Sequence, residues 1–201
     1  MDRIADIRRT TQETDIFIKL NLDGSGAVRL DYPIGFMQHM LTAFARHGLF
    51  DLQVQASGDV AVDQHHLVED TGIVLGRCFT QALGEKRGIR RTGASLFPMD
   101  ETLARAAADL SGRPFLAFDA MLSGIPLISG GSSFQTDTVE DFWQGFTQGA
   151  AATVHLDILR GRSDHHKIEA LFKAGACALK DAVSRDPRVL DQVPSTKGVL
   201  V

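Results

Sequence analysis

Cysteine and tryptophan are scarce in this sequence. Its 201 residues include two cysteines and one tryptophan. Two cysteines are too few for a structural zinc site built from several thiolates. Because Cys78 and Cys177 each lie in an apolar stretch with helical spacing, we predict two buried free thiols rather than a disulfide bond.

Long apolar runs and blocks of basic residues are also missing. No apolar run approaches the roughly 20 residues that a membrane-spanning helix requires, and Met1–Asp6 is too charged to begin a signal peptide. The formal net charge is −4, and without a basic block a nucleic-acid-binding surface has little support. The sequence therefore predicts a cytoplasmic protein that binds neither membranes nor nucleic acids.

Histidine is concentrated in a motif that occurs twice. Four of the seven histidines belong to two His-His-x-x-Glu motifs, one in each half of the chain. One such pair is typical of a solvated helix start, but two copies at matching places indicate a duplicated unit that binds metal. The residues of the two motifs are His65, His66 and Glu69, and His165, His166 and Glu169.

The spacing within each motif suits a metal site on a helix. The first histidine and the glutamate are four residues apart and share a face, so that an imidazole and a carboxylate can bind one cation. Adjacent histidines point roughly 100° apart, and each motif is therefore expected to serve two ions. Imidazole and carboxylate without thiolate suit Mn, Fe, Co, Ni or Zn. His39, on an earlier helix, is a further candidate ligand, with an exposed helix histidine as the alternative.

Hydrophobic periodicity predicts the same order of elements in both halves: strand, strand, helix, strand, helix. Ser123–Ser133 is predicted to be a loop and the chain after Asp186 to be irregular. In the first half, the predicted elements are a hairpin of Thr14–Leu22 and Ala27–Leu30, helix Phe36–His47, strand Leu49–Ala56 and helix Val68–Leu83. In the second half, they are strands Arg105–Leu110 and Phe115–Phe118, helix Val139–Ala152, strand Thr153–Leu159 and helix Ile168–Val183.

This order predicts an α+β fold of two duplicated βαβ-type halves whose sheets are backed by helices. The length and an ordinary composition, with 44% hydrophobic and 23% charged residues, fit one globular domain. We expect the halves to span about residues 1–92 and 93–186, followed by a tail of residues 187–201.

Several motifs resemble the imidazoleglycerol-phosphate dehydratase family of histidine biosynthesis, in the same order and from about Ile7 to the C-terminus. In addition to the two His-His-x-x-Glu motifs, the matching segments are Arg8–Thr14, Gly35–Leu41, Pro98–Arg105, Asp109–Pro114 and Pro194–Gly198.

This resemblance implies two duplicated α+β halves, trimers that build a shell of 24 subunits, and two Mn ions per site held by His-His-Glu motifs from neighbouring subunits. His39 corresponds to a further metal ligand. Asp141 stands where the family often has a histidine, and a carboxylate can also ligate Mn. Thr42-Ala43 replaces an Asp-Gln pair of many members, so that one polar substrate contact differs.

The implied reaction removes water from imidazole glycerol phosphate and gives imidazole acetol phosphate. Metal ions acidify the imidazole that they hold, which helps the substrate to expel the neighbouring hydroxyl. A base must then take a C–H proton, and Glu13, donated by another subunit, is the first candidate, with Glu169 and Asp100 as alternatives. Arg113 and the other cationic candidates would bind the phosphate. Together, the implied substrate-binding residues are His39, His47, Arg91, Arg113, Lys173, Ser195, Thr196 and Lys197.

Two other functions use the same motifs. A dinuclear metallohydrolase would activate water with the same cations and would need no phosphate-binding lysine near the C-terminus. A non-catalytic shell protein assembled by metal would give Glu13, Arg91, Arg113 and Lys197 no role.

Overall fold

The structure, a computed structural model, describes residues 2–129, 132–198 and 200. Within these residues the chain forms four helices and two sheets of four strands each, with a further two-stranded sheet. The helices are α1 (Gly35–Gly48), α2 (His65–Leu83), α3 (Thr138–Ala150) and α4 (Asp164–Val183). The strands of the first half are β1 (Ile4–Thr10), β2 (Thr14–Asn21), β3 (Val28–Asp31) and β4 (Asp51–Gly58). Those of the second half are β5 (Thr92–Met99), β6 (Thr102–Asp109), β7 (Phe115–Asp119), β8 (Leu127–Ser129), β9 (Ser132–Phe134) and β10 (Thr153–Arg160).

The two large sheets have equivalent topologies. Their strand orders are β1-β2-β4-β3 and β5-β6-β10-β7. In each sheet the last strand pairs in parallel and the other neighbours pair antiparallel. Helix α2 packs on the first sheet and α4 on the second. The predicted α+β fold, with duplicated halves and sheets backed by helices, is confirmed.

The predicted hairpin between Thr14–Leu22 and Ala27–Leu30 is wrong. Strand β2 lies between β1 and β4, whereas β3 pairs in parallel with β4 at the edge of the sheet. The parallel pairing places α1 in the crossover from β3 to β4, which is the usual way to connect parallel strands. Strand β7 likewise pairs with β10 through a connection that contains α3.

Two strands that the periodicity did not predict lie at sheet edges. Strand β1 carries charged residues such as Asp6 and Arg8 on its exposed face, and its apolar alternation is therefore weak. Strand β5 also has an exposed face and lies at the other sheet's edge, next to β6. Edge strands are half-solvated, which explains why hydrophobic patterning alone missed both.

The predicted loop Ser123–Ser133 contains β8 and the start of β9, which pair antiparallel. Residues 130 and 131 of this segment lie outside the described residues. Both short strands are followed by α3, and Phe134 at the end of β9 is buried.

Contacts between the halves are made by paired helices. Helix α2 packs against α3, and α1 packs against α4, so that each pair contains one helix from each half. Backbones approach closely in the α2–α3 pair: a Cβ atom on Gly72 would lie 2.1 Å from the carbonyl oxygen of Phe142. On α3, a Cβ atom on Gly149 would lie 2.2 Å from the carbonyl oxygen of Ile73. One hydrophobic core therefore includes residues of both halves.

Cys78 and Cys177 are both free, as predicted; Cys78 is buried and Cys177 is half-buried. Burial raises the pKa of the Cys78 thiol to about 12. No helix in the described part of the chain has the length and apolar character needed to cross a membrane.

Candidate metal centre and active site

Both histidine pairs lie in the first turn of a helix. Helix α2 begins at His65 and α4 at Asp164, each a few residues earlier than the apolar periodicity predicts. At α4 the N-cap Ser163 accepts the N–H of His166 at 3.4 Å. At α2 the N-cap is Gln64, and the carboxylate of Asp63, one residue earlier, accepts the N–H of His65 at 2.9 Å. The four imidazoles in these first turns are half-buried or exposed, whereas the later turns bury apolar side chains.

Three of the predicted ligands converge on one point. His39 lies on α1, and His165 and Glu169 lie on α4. The Nε2 atom of His39 is 3.1 Å from Oε2 of Glu169, and Nε2 of His165 is 3.3 Å from the same oxygen. One ligand atom from each residue lies within 4.8 Å of the others. Two imidazoles and a carboxylate at these distances fit a divalent transition-metal ion.

A related cluster lies on the other helix pair, where α2 and α3 provide His65, Glu69 and Asp141. The Nε2 atom of His65 is 3.6 Å from Glu69, as i,i+4 spacing requires, and its Nδ1 atom is 3.0 Å from Asp141. The two carboxylates therefore contact opposite nitrogens of one ring. In the first cluster, by contrast, both imidazoles contact the same carboxylate oxygen. That Asp141 is a metal ligand stays a prediction.

The second histidine of each motif is held by a carboxylate that sequence reasoning missed. Nδ1 of His66 lies 3.2 and 3.1 Å from the two carboxylate oxygens of Asp59, and Nδ1 of His166 lies 2.8 Å from Oε2 of Glu101. Hydrogen bonds from the N–H of Ser163 and from His166 hold the pKa of Glu101 at about 2. The bond with Asp59 raises the pKa of His66 above its ordinary value.

Asp100, an alternative candidate base, lies beside a residue that contacts the second motif. Asp100 is exposed in the turn between β5 and β6, in a left-handed conformation with φ of 48°. The contact with His166 is made instead by Glu101, the next residue in the same turn. Glu101 belongs to the Pro98–Arg105 motif. Its position beside Asp100 in that motif is the only sequence feature that could have identified it as a candidate site residue.

Glu13, the first candidate base, lies in the β1–β2 turn beside the first motif. Its carbonyl oxygen accepts the N–H of Asp59 at 3.1 Å, and its negative charge contributes to the raised pKa of His66. The turn is anchored by Thr14, whose hydroxyl donates to Asp70 on α2 at 2.6 Å. The Glu13 side chain is exposed to solvent.

Glu169 also contacts Lys173, one of the predicted substrate-binding residues. Its Oε1 atom is 2.7 Å from Nζ of Lys173, which lies 5.6 Å from the centre of the Phe97 ring. Burial raises the pKa of Glu169, but Lys173 and His39 lower it more and keep it below the ordinary value. The ring of His47 meets Phe97 edge-on at 5.0 Å, and burial lowers the pKa of His47. Lys173 and His47 therefore both lie against the ring of Phe97.

The phosphate-binding candidates near the C-terminus are organised around Arg91. Its guanidinium binds both carboxylate oxygens of Asp109 at 2.7 and 2.9 Å and also donates to the Pro194 carbonyl at 2.9 Å. Arg91 thus links the chain before Ser195 to the second sheet. The guanidinium of Arg91 is already paired with the carboxylate of Asp109. The N–H of Lys197 donates to the Ser195 hydroxyl at 3.1 Å, while Thr196 and Lys197 are exposed.

The remaining features are Arg113 and a cavity that borders His39 and His165. Arg113 is exposed in the turn before β7. A cavity of about 450 Å³ is lined by Phe36, His39, Phe134 and His165, among others. The imidazole of His165 meets Phe36 edge-on at 5.1 Å. The converging histidines therefore border a partly aromatic space that is large enough for a small molecule.

Comparisons with known proteins agree with this arrangement. A sequence model described as imidazoleglycerol-phosphate dehydratase matches residues 33–179. The chain is 54% identical over 198 residues to the imidazoleglycerol-phosphate dehydratase of Lacticaseibacillus casei, covering 98% of this chain and 100% of that protein. It is 52% identical over 198 residues to the one from Leuconostoc mesenteroides, covering 98% and 99% of the two chains.

Solved structures extend the likeness to three dimensions. The imidazoleglycerol-phosphate dehydratase of Staphylococcus aureus is 38% identical and matches with a TM-score of 0.79 over 91% of this chain and 99% of that chain. The structure from Pyrococcus furiosus is 34% identical, with a TM-score of 0.80 over 96% and 100% of the two chains. The resemblance predicted from the motifs is confirmed. The chain belongs to the imidazoleglycerol-phosphate dehydratase family.

Proposed function

We propose that this chain dehydrates imidazole glycerol phosphate to imidazole acetol phosphate in histidine biosynthesis, in the cytoplasm. We further propose that it uses two divalent metal ions, with Mn²⁺ as the first candidate. Membership of the dehydratase family supports the reaction. The observation that carries the metal requirement is the convergence of His39, His165 and Glu169, whose ligand atoms lie within 4.8 Å of one another.

The two clusters would divide the ligands between the ions. His39, His165 and Glu169 would hold one ion, and His65 and Glu69, with Asp141, would contribute to the other. His66 and His166 keep Nε2 for an ion because a carboxylate already contacts Nδ1 in each ring. When bound, the ions would hold the imidazole of the substrate and lower the pKa of its ring N–H.

The residues around the clusters would handle the rest of the substrate. Glu13 is exposed beside His66 and would accept the C–H proton from the carbon chain. Lys197, Ser195 and Arg113 would bind the phosphate through charge-assisted hydrogen bonds. Arg91 would support them by holding the C-terminal segment in place through the Pro194 carbonyl, because its guanidinium is already paired with Asp109.

We further propose that the metal sites are closed by neighbouring copies of this chain, in trimers that assemble into a 24-subunit shell. The cluster of His39, His165 and Glu169 offers three ligand groups in one chain, fewer than the six that Mn²⁺ commonly takes. The imidazoles of His39 and His165 remain 49% and 47% exposed, which leaves them accessible to ligands from another copy. Light scattering tests this part: adding Mn²⁺ to metal-stripped protein should raise the mass, and an unchanged mass would contradict it.

An assay of the purified chain with imidazole glycerol phosphate tests the proposed reaction. We expect imidazole acetol phosphate to form with Mn²⁺ and to disappear after metal removal. Release of inorganic phosphate instead would favour a metallohydrolase. An unchanged substrate at every metal concentration would favour a non-catalytic shell protein.

A further inference from the structure

Glu101 connects three groups at the start of α4. Its Oε1 atom accepts the backbone N–H groups of Arg162 at 3.2 Å and of Ser163 at 3.0 Å. Its Oε2 atom lies 2.8 Å from Nδ1 of His166. One carboxylate therefore holds the loop that precedes the helix and one edge of an imidazole in that helix's first turn.

We propose that Glu101 is a positioning residue that keeps the ring proton of His166 on Nδ1 and leaves the Nε2 lone pair free to bind a divalent metal ion. This inference rests on the proposed metal-dependent function. Only a deprotonated ring nitrogen can ligate a metal, and the hydrogen bond at the other nitrogen decides which one carries the proton. An ionised carboxylate can only accept, so it requires Nδ1–H.

The backbone contacts make this requirement testable with a single-atom change. In the Glu101→Gln variant, the two N–H groups of Arg162 and Ser163 continue to need an acceptor and would hold the amide oxygen in the place of Oε1. The amide nitrogen must then face His166 and donate to Nδ1. That donation moves the ring proton to Nε2, the nitrogen needed for the metal, while the shape of the side chain and its backbone bonds are retained.

Asp59 provides a matched control at the other motif. Both of its carboxylate oxygens face Nδ1 of His66, at 3.2 and 3.1 Å. The amide of an Asp59→Asn variant can therefore rotate and present its oxygen to Nδ1–H, which keeps the proton where it was. The same chemical change thus has different consequences at the two histidines, because among the described residues backbone donors orient the side chain of Glu101 and not that of Asp59.

The experiment measures Mn²⁺ binding to the metal-stripped full-length chain by equilibrium dialysis, together with thermal melts without metal. We expect Glu101→Gln to lower the Mn²⁺ affinity of the site that includes His166 by about 10–100-fold. Glu101→Ala should weaken it less, because the ring is then free to take either tautomer. In the melts the order should reverse, with Glu101→Ala less stable than Glu101→Gln because the backbone donors lose their acceptor. Asp59→Asn should bind Mn²⁺ within a few-fold of the wild type.

Three results would overturn the inference. The first is a Glu101→Gln variant that binds Mn²⁺ as tightly as the wild type. The second is an equal loss in Asp59→Asn, and the third is an affinity order that simply follows thermal stability. A wild-type chain that binds no Mn²⁺ would overturn the proposed metal function itself, and this outcome is distinguishable because it appears without any mutation.

Discussion

The Nε2 atom of His39 lies 3.1 Å from Oε2 of Glu169, although the two residues belong to opposite halves of the chain. The contact exists because α1 packs against α4, just as α2 packs against α3. Each helix pair thus brings a side chain from one half to the His-x-x-x-Glu face of the other. The packing of helices from opposite halves therefore brings His39 and Asp141 to the two linear motifs.

His39→Ala should lower the Mn²⁺ affinity of one class of site at least tenfold, because it removes one of three converging ligand groups. The side chain is half exposed, so the fold should be retained. Equilibrium dialysis with Mn²⁺ measures the change. His155→Ala is the matched control, since His155 is an exposed histidine on β10 whose ring is 6.1 Å from Phe115. Equal losses in the two variants would show that His39 has no special role.

Glu13→Gln should lower kcat by about 10²–10⁴-fold, the usual contribution of a positioned base. Binding of Mn²⁺ should be retained, because Glu13 belongs to neither cluster. Steady-state turnover and metal binding are measured on the same preparation. Asp100→Asn tests the competing base in the same assay: if it abolished turnover while Glu13→Gln did not, the base would be assigned to Asp100.

The stability of the metal-free chain should depend on pH through His66. Its folded-state pKa is raised, first by the hydrogen bond with Asp59, above an ordinary value of about 6.5. A raised pKa contributes stability that is fully present below the unfolded value and is lost as the pH rises through the folded value. Thermal melts at pH 6 and pH 8 should therefore differ more in the wild type than in Asp59→Asn. An identical difference in both proteins would contradict this assignment.

Gly72→Ala should destabilise the fold by about 1–3 kcal/mol, as overpacking of a close contact typically does. The added Cβ atom would lie 2.1 Å from the Phe142 carbonyl oxygen and would force α2 away from α3. Chemical denaturation of the metal-free chain gives the free energy of unfolding. Gly35→Ala is the control, because a Cβ atom there meets nothing within 4 Å and should leave stability unchanged or slightly higher. A Gly72→Ala variant as stable as this control would refute the close helix contact.

The sequence contained enough information to predict the local parts of the site. Spacing alone placed His65 beside Glu69 and His165 beside Glu169, and the observed distances of 3.6 and 3.3 Å agree. The four helices and six of the strands also follow from apolar periodicity, since each period reports the burial of one face of one element. The six strands are β2, β3, β4, β6, β7 and β10.

Pairings between distant segments could not be predicted from the same patterns. Periodicity shows which face of β3 is buried but not that β3 joins β4 rather than β2. Glu101 and Asp59 lie in turns, where hydrophobic residues show no regular spacing. They contact His166 and His66 only because the tertiary fold brings these segments together. The contact of Asp141 with Nδ1 of His65 likewise depends on the close packing of α2 on α3.

The most direct test of the account is a Mn²⁺ titration of turnover in metal-stripped protein with imidazole glycerol phosphate as substrate. We predict no turnover without metal and a rise that saturates at two ions per chain. Full turnover in the metal-free protein, or metal binding at two ions per chain without any dehydration, would contradict the proposal that these histidine clusters hold the ions of a dehydratase.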